Sequence, residues 1–351
     1  MRLTSLHLHQ FRSHEDAQFL FDSNVTAIIG PNGSGKTNIL EAIYTLCMGK
    51  SFRDSDDDMI TYDQDWYRIE GVIDNVNREL RYQPSNKGKQ LLVDGATKGR
   101  FTYRQQLPIV LFEPDDLLMI HGSPSARRKY LDDLLSRLSL PYRQLLHRYE
   151  RVLTQRNNLL KQRQSPEQLK DNLFVWDVSL SELGAQLIRT RQEIITRINE
   201  RLSHVYSQVA HKDQLLHVEY VHPVTQVSET QIHHALAHHL DDDLRRGFTS
   251  IGPHRHDIDF LLNSQPAKVT ASRGEVRSIV LGLKTLEISL LEDQYATTPL
   301  FLCDDVFSEL DESRATAVAE LTRDSTQMIL TSTYVPNGLS SARQIDLSAR
   351  P

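Results

Sequence analysis

Gly30-Pro31-Asn32-Gly33-Ser34-Gly35-Lys36-Thr37 decides how this chain is read. It fits the spacing G-x-x-x-x-G-K-[ST] of a phosphate-binding loop. Glycines let successive backbone N–H groups curl around phosphate oxygens, where a Cβ would clash. The helix that follows turns its N-terminus toward the same phosphates. Lys36 places a mobile positive charge on the β and γ phosphates of a nucleotide. The Thr37 hydroxyl is an oxygen ligand suited to Mg2+, and Asn38, next in the chain, is counted with the same nucleotide site. A chance match in a chain of this length is on the order of one in a hundred. The flanks supply the required context. Val25 to Ile29 is a β-rich apolar run, the pattern of a buried strand. Ile39, Leu40, Ile43, Leu46 and Cys47 mark a helical face over residues 37–48, with Gly49 as its stop.

Far along the chain, Leu300-Phe301-Leu302-Cys303 is a short apolar strand that delivers Asp304 and Asp305 at its C-terminal end. Asp304 is placed to hold Mg2+ through water. Asp305 is placed to orient or deprotonate an attacking water. Lys36, Asp304 and Asp305 are the candidate catalytic set, with Thr37 and Asp304 as the candidate Mg2+ residues.

Outward from these motifs the chain reads as mixed α/β over 1–116. Short strands are expected at 3–11, 19–21, 67–73, 79–82, 91–93 and 107–112. Asp74-Asn75 and Asp94-Gly95 supply turns. Residues 117–245 are charged and mostly helix-forming, punctuated by Pro124, Pro141, Pro166 and Pro223, with a short strand near 215–221. The α/β character returns over 246–351, with a helix over 276–291 and strands at 300–303 and 327–330. One α/β domain split by a helical insertion accounts for this order. Apolar heptads are not sustained, so no long coiled coil is expected.

The 351 residues are 39% hydrophobic and 25% charged, which excludes wholesale disorder and suggests about two domains. No apolar run approaches the ~20 residues that cross a bilayer. The N-terminal stretch lacks the apolar core of a signal peptide, so a cytoplasmic protein without a membrane partner is expected. Cys47 and Cys303 sit in apolar surroundings and read as buried free thiols. A net charge of −6 argues against a uniformly basic nucleic-acid coat and leaves room for a local basic face.

The long gap between Lys36 and Asp304, filled by a helical insertion, resembles the ATP-binding-cassette class of ATPases in its DNA-repair and chromosome-maintenance branch. Ser272-Arg273-Gly274-Glu275 resembles the signature motif of that class. The resemblance implies that Ser272, Gly274 and Glu275 face the γ-phosphate held by a second subunit, so that two subunits enclose two ATP molecules. Taken alone, Ser272 with Glu275 is a helix capping box. Ser308-Glu309-Leu310-Asp311 resembles the loop that follows the carboxylates in this class. Thr331 or Thr333 stands where the class often has a histidine that senses the γ-phosphate. Arg12 resembles an N-terminal arginine near bound nucleotide, with a surface salt bridge as the equal alternative, and Glu113 the position that senses Mg2+ and couples the lobes, with helix capping as the equal alternative.

Further stretches are similar to the RecF family of bacterial recombination mediators: Val110 to Leu117, Gly122 to Asp132, Arg151 to Asn157 and Ser250 to Arg255. The resemblance implies an ATPase head of two lobes, an α/β core and a helical arm. It implies ATP and Mg2+ as cofactors and a weak, DNA-stimulated ATPase used as a dimerisation switch. It also implies an ATP-dependent homodimer on double-stranded DNA near single-strand gaps and junctions, with RecR and RecO as partners in recombinase loading, on the nucleoid. Arg127-Arg128-Lys129 is the candidate DNA-phosphate patch, set against the commoner reading of such runs on helices as solvated faces or ion pairs. The competing classes are an ATPase subunit coupled to transport and a non-enzymatic scaffold.

The sequence departs from the family in three places. Arg273 and Glu275 stand where glutamines are usual, His256 where an aspartate is expected, and residues 54–58 carry four aspartates in a loop that is often more basic. His233-His234 and His238-His239 read as an exposed helix face.

Overall fold

Strict alternation builds the first sheet. In β1 (Leu3–Phe11), Leu6 and Leu8 are buried while His7 and His9 face outward. Gln10 and Arg12 then take φ of 51° and 55°, which breaks the alternation and lets Phe11 turn inward. The structure is a computed structural model. It describes residues 1–22, 24–85, 88–99, 101–162, 166–222, 227–306, 316, 326–334 and 342–348, with the side chains of 166–168 and 170 left aside.

β2 (His14–Leu20) folds back on β1, and β3 (Val25–Ile29) leads into α1 (Lys36–Met48). β4 (Tyr67–Ile73), β5 (Val76–Gln83), β6 (Gly88–Val93) and β7 (Ala96–Gly99) complete a six-stranded antiparallel sheet of order β2-β1-β4-β5-β6-β7. Its hairpins turn at Asp74-Asn75 and Asp94-Gly95, all with positive φ, the geometry that matches strand twist. β8 (Ile109–Phe112) follows, buried at every position.

The middle of the chain gives α2 (Leu118–His121), α3 (Pro124–Leu138), α4 (Leu140–Leu160) and α5 (Pro166–Ala210). Pro124, Pro141 and Pro166 each sit in a first helical turn, where the missing N–H costs nothing. β9 (Leu216–Val221), α6 (Glu229–His238), α7 (Leu240–Arg246), β10 (Asp257–Leu262), β11 (Gln265–Pro266) and α8 (Ala267–Thr270) come next. α9 (Arg273–Tyr295) leads back to β12 (Leu300–Cys303), β13 (Met328–Ser332) and β14 (Arg343–Asp346). These join a five-stranded sheet of order β14-β3-β13-β12-β8, parallel at each pairing.

Two compact units result. One comprises Met1–Asp116, Gln208–His211 and Arg277–Pro351; the other comprises Leu117–Ser207 and Lys212–Val276. The return to the first unit therefore comes at Arg277 and not at residue 246, a correction to the expected boundary. The reason is backbone pairing: β10 is bonded along its length to β9 and also to β11, so 246–276 stay with the inserted unit. That unit is mainly helical and holds a three-stranded sheet of its own.

In the first unit α1 is buried nearly all round. Its apolar residues share one core with Leu6, Leu8, Ile69 and Leu80 of the antiparallel sheet and Ile28, Leu111, Leu302 and Ile329 of the parallel sheet. A helix apolar on more than one face needs a wall on each side. In the second unit the frame is ionic. Arg156, fully buried, binds Asp177 at 2.6 Å and Asp243 at 2.7 Å. Arg191 holds both oxygens of Asp132 at 2.8 and 2.9 Å. Stretches that read as family markers, 122–132, 151–157 and 250–255, supply much of this frame. Asn157 Oδ1 accepts from Thr249, and Ser250 donates to Asp243.

Candidate nucleotide-binding site

The carboxyl ends of the parallel strands carry the site, the usual place for ligands on such sheets. β3 ends at Gly30. The loop then curls through Gly33 and Gly35, whose φ values of 83° and 87° put both in the left-handed region. At Gly35 a side chain is excluded twice over, because a Cβ would also lie 2.7 Å from Ser13 Oγ. Lys36 is buried and donates from Nζ to the carbonyls of Gly30 at 2.8 Å and Pro31 at 2.9 Å. Ser34 Oγ is buried without a hydrogen-bond partner among the described residues.

Adjacent strands bring the acidic residues. β12 runs between β13 and β8 and ends at Asp304. Asp304 Oδ1 accepts from Thr37 Oγ1 at 2.9 Å and from Thr331 Oγ1, at the end of β13, at 2.8 Å. Asp305 takes φ 52°, and its N–H donates to Thr331 Oγ1 at 2.9 Å. Thr331 is fully buried and Thr333 is exposed, so the structure separates two hydroxyls the sequence left equivalent.

Glu113, just past β8, sits close to Asp116 and Asp304. Burial, with those two carboxylates, pushes its pKa up to about 7. Lys284, buried on α9, donates to the Leu111 carbonyl at 2.7 Å and reaches Asp116 at 2.9 Å. Nothing in the sequence around Lys284 signals this, since helix and strand end are 173 positions apart.

Arg12 is not a free cation beside a phosphate. Its guanidinium binds both oxygens of Glu41 at 2.8 and 2.7 Å and Asp54 at 2.5 Å, and donates to the Asp58 carbonyl. Glu41, on α1, is buried, which alone would raise its pKa; hydrogen bonds from Arg12, Ser51 and Arg53 outweigh burial and lower it. Arg53 also donates to Asn38 Oδ1 at 3.2 Å, and Asn38 Nδ2 donates to Ser13 Oγ at 3.0 Å. The acidic loop is thereby explained. Asp54 pairs with Arg12, Asp56 with Lys89, Asp57 accepts from Tyr82 and Asp58 from Ser55. Its carboxylates fasten the loop to its own unit.

Ser272, Gly274 and Glu275 belong to the second unit. Ser272 is exposed, and its hydroxyl donates to Glu275 Oε2 at 2.8 Å while accepting from the Glu275 N–H at 3.3 Å. This is a capping box, and its bonds from Ser272 hold the Glu275 pKa down to about 2. Residues 308–311 lie outside the described residues.

The basic run has two of its three residues committed within the unit, as the ion-pair reading expects. Arg127 is buried, with Nε and Nη2 on the two oxygens of Asp257 at 2.7 and 2.8 Å and Nη1 on the Gly122 carbonyl. Arg128 is half-buried and donates to the His256 carbonyl at 2.7 Å. Only Lys129 of the three is exposed. An i, i+1, i+2 run on a helix points three ways, so one member faced the core. His256 is itself buried, its pKa lowered to about 3 by burial first, and its Nδ1 lies 2.9 Å from the Tyr220 hydroxyl.

A family model described as the RecF/RecN/SMC N terminal domain matches residues 2–345. The DNA replication and repair protein RecF of Bacillus mycoides (strain KBAB4) is 33% identical over 95% of this chain and 92% of its own length. The chain belongs to the RecF family. RecF of Ligilactobacillus salivarius (strain UCC118) is likewise 33% identical, over 98% of this chain and 93% of its own. Among solved structures, the recombination mediator protein RecF-ATPrS of the RecFOR pathway superposes with a TM-score of 0.84 at 30% identity, covering 95% of this chain and 92% of that one. An SMC head bound to the C-winged helix domain of ScpA, at 16% identity and a TM-score of 0.53, shares the fold alone. The fold is therefore that of the RecF and SMC ATPase heads, α/β with an inserted arm. No described helix is long and apolar enough to cross a membrane.

Proposed function

We propose that the chain is an ATP-driven DNA-repair switch. It binds and slowly hydrolyses ATP, closes into a homodimer, and in that form holds double-stranded DNA beside single-strand gaps to assist RecO and RecR in recombinase loading. One observation carries the reading: Lys36, Thr37, Asp304 and Thr331 converge at the ends of neighbouring parallel strands. Family membership and the likeness to RecF-ATP, at a TM-score of 0.81, support it.

The residues fit a nucleotide and its metal. The glycine loop leaves the volume a Cβ would fill, the Ser34 hydroxyl is buried without a partner, and Lys36 rests on loop carbonyls that a phosphate would replace. Thr37 and Asp304 are the oxygen donors for Mg2+, which when bound neutralises charge between the β and γ phosphates. Asp305 orients the attacking water as general base. Thr331 holds the Asp304 carboxylate against the Asp305 backbone. Ser272, with Gly274 and the capped N-terminus of α9, completes the site of the partner subunit. Asp305 is a short lever for placing water, and turnover is correspondingly slow.

Sedimentation velocity with and without ATP and Mg2+ tests the dimer. The expected result is a monomer that associates when both are present; an unchanged monomer overturns the switch. Lys36→Arg should still bind ATP but turn it over poorly, and undiminished turnover would remove Lys36 from the machinery. DNA binding across a salt series, with and without ATP, tests the remainder.

A further inference from the structure

We propose that His7, His9 and Asp16 form a surface site for a divalent transition-metal ion of the Zn2+ class. Residues i and i+2 of a strand share a face, which puts both imidazoles on the outer side of β1. The β1–β2 register sets Asp16 directly opposite His9. His7 Nε2 lies 2.5 Å from Asp16 Oδ1, His9 Nδ1 lies 3.7 Å from the same oxygen, and the two rings are 3.9 Å apart. All the donor atoms fall within 4.8 Å of one another, and among the described residues this is the one group of three or more His, Cys, Asp or Glu that does so. The histidines at 233–234 and 238–239, of which only His234 and His238 are exposed, gather no such group among the described residues.

Zn2+ sits about 2.0–2.2 Å from nitrogen and oxygen ligands, so donors around a tetrahedral ion lie roughly 3.3–3.6 Å apart. The observed spacing brackets that value. Two adjustments are needed: the His7–Asp16 hydrogen bond must open, which the Asp16 side chain, 71% exposed, has room to do, and the His9 ring proton must leave Nδ1. Two imidazoles and one carboxylate select Zn2+, Co2+ or Ni2+ over Mg2+, which prefers oxygen alone.

The surroundings of His9 hold one opposing and one favourable charge. His9 Nε2 accepts from Arg68 at 2.9 Å, so the ring proton is on Nδ1. Metal on Nδ1 requires the proton to move to Nε2 and the Arg68 contact there to open; Glu70 Oε1, 3.9 Å from Nε2 and 2.9 Å from Arg68 Nε, is the carboxylate placed to balance that change. Arg68 is the opposing charge and Glu70 its counterweight.

The bound ion would fasten both arms of the hairpin whose tip, Ser13 and His14, rests on Gly35 of the phosphate loop. That consequence rests on the nucleotide reading; the metal site does not.

Co2+ titration of the chelator-treated, nucleotide-free chain tests the proposal by its visible ligand-field absorption. The expected result is a single saturating equivalent, lost in His7→Ala and in His9→Ala, weakened about 10-fold or more in Glu70→Gln, and tightened in Arg68→Gln. The last two variants keep every ligand, so their opposed shifts separate coordination from folding defects. Zn2+ should raise the thermal midpoint of the parent chain and not that of His7→Ala. Absence of saturable binding, or binding unchanged in the double variant His7→Ala/His9→Ala, overturns the site.

Discussion

Thr37 Oγ1 and Asp304 Oδ1 meet at 2.9 Å across 267 positions of sequence, with Thr331 Oγ1 on the same oxygen. The helix that follows β3 and the tip of β12 are thereby joined at the point where a metal and a phosphate would sit.

Thr331→Val keeps the shape of the side chain and removes the hydroxyl. The Asp305 N–H loses its acceptor in a half-buried setting, which costs about 1–3 kcal/mol and lowers the thermal midpoint. ATP turnover should fall while Thr333→Val, on an exposed residue, changes neither. Differential scanning fluorimetry and a phosphate-release assay read both effects.

Glu113 gives a pH signature. Its folded pKa, about 7, lies above the ordinary glutamate value, so the folded state binds more protons than the unfolded one between those two pH values. Stability falls as pH rises through that window. Glu113→Gln should therefore stabilise the nucleotide-free chain at pH 8 relative to the parent and make little difference near pH 4. A parallel pair of midpoint-versus-pH curves would contradict the assignment.

Arg127→Ala should destabilise by roughly 3–5 kcal/mol, because it strands Asp257 beside a buried space. Lys129→Ala should leave stability unchanged and reduce the salt slope of DNA binding if this helix faces phosphate. Urea unfolding and a binding series at several ionic strengths separate the two.

Ser272→Asp tests the partner-facing role. Aspartate can cap the helix, but it would face the Glu275 carboxylate in place of a hydroxyl donor, so the midpoint should fall modestly with the chain still folded. The added negative charge repels a γ-phosphate, and ATP-induced association should be lost. Association at the parental level would restrict Ser272 to its capping box with Glu275.

Much of the first unit was legible because its signals are local. Leu6-His7-Leu8-His9 alternates and is a strand; Gly30 to Thr37 follows a buried strand and opens a helix. Leu300–Cys303 and Tyr67–Ile73 fall where their apolar pattern placed them. β7, exposed at all four positions, carries no burial pattern and was not expected. The domain boundary was misplaced because β9 and β10 are joined by backbone bonds that leave no mark on composition.

By itself the sequence determined the phosphate loop, the acidic strand end, the α/β class and the family. Each of these is written in neighbouring residues, through periodicity, glycine placement and chain order. Only the tertiary structure decided which charges are available. Arg12, Arg127 and Arg156 look alike in sequence, yet each is committed to carboxylates far along the chain. The reason is that a guanidinium leaves water only where a partner is already fixed by packing, and packing is a property of the whole fold.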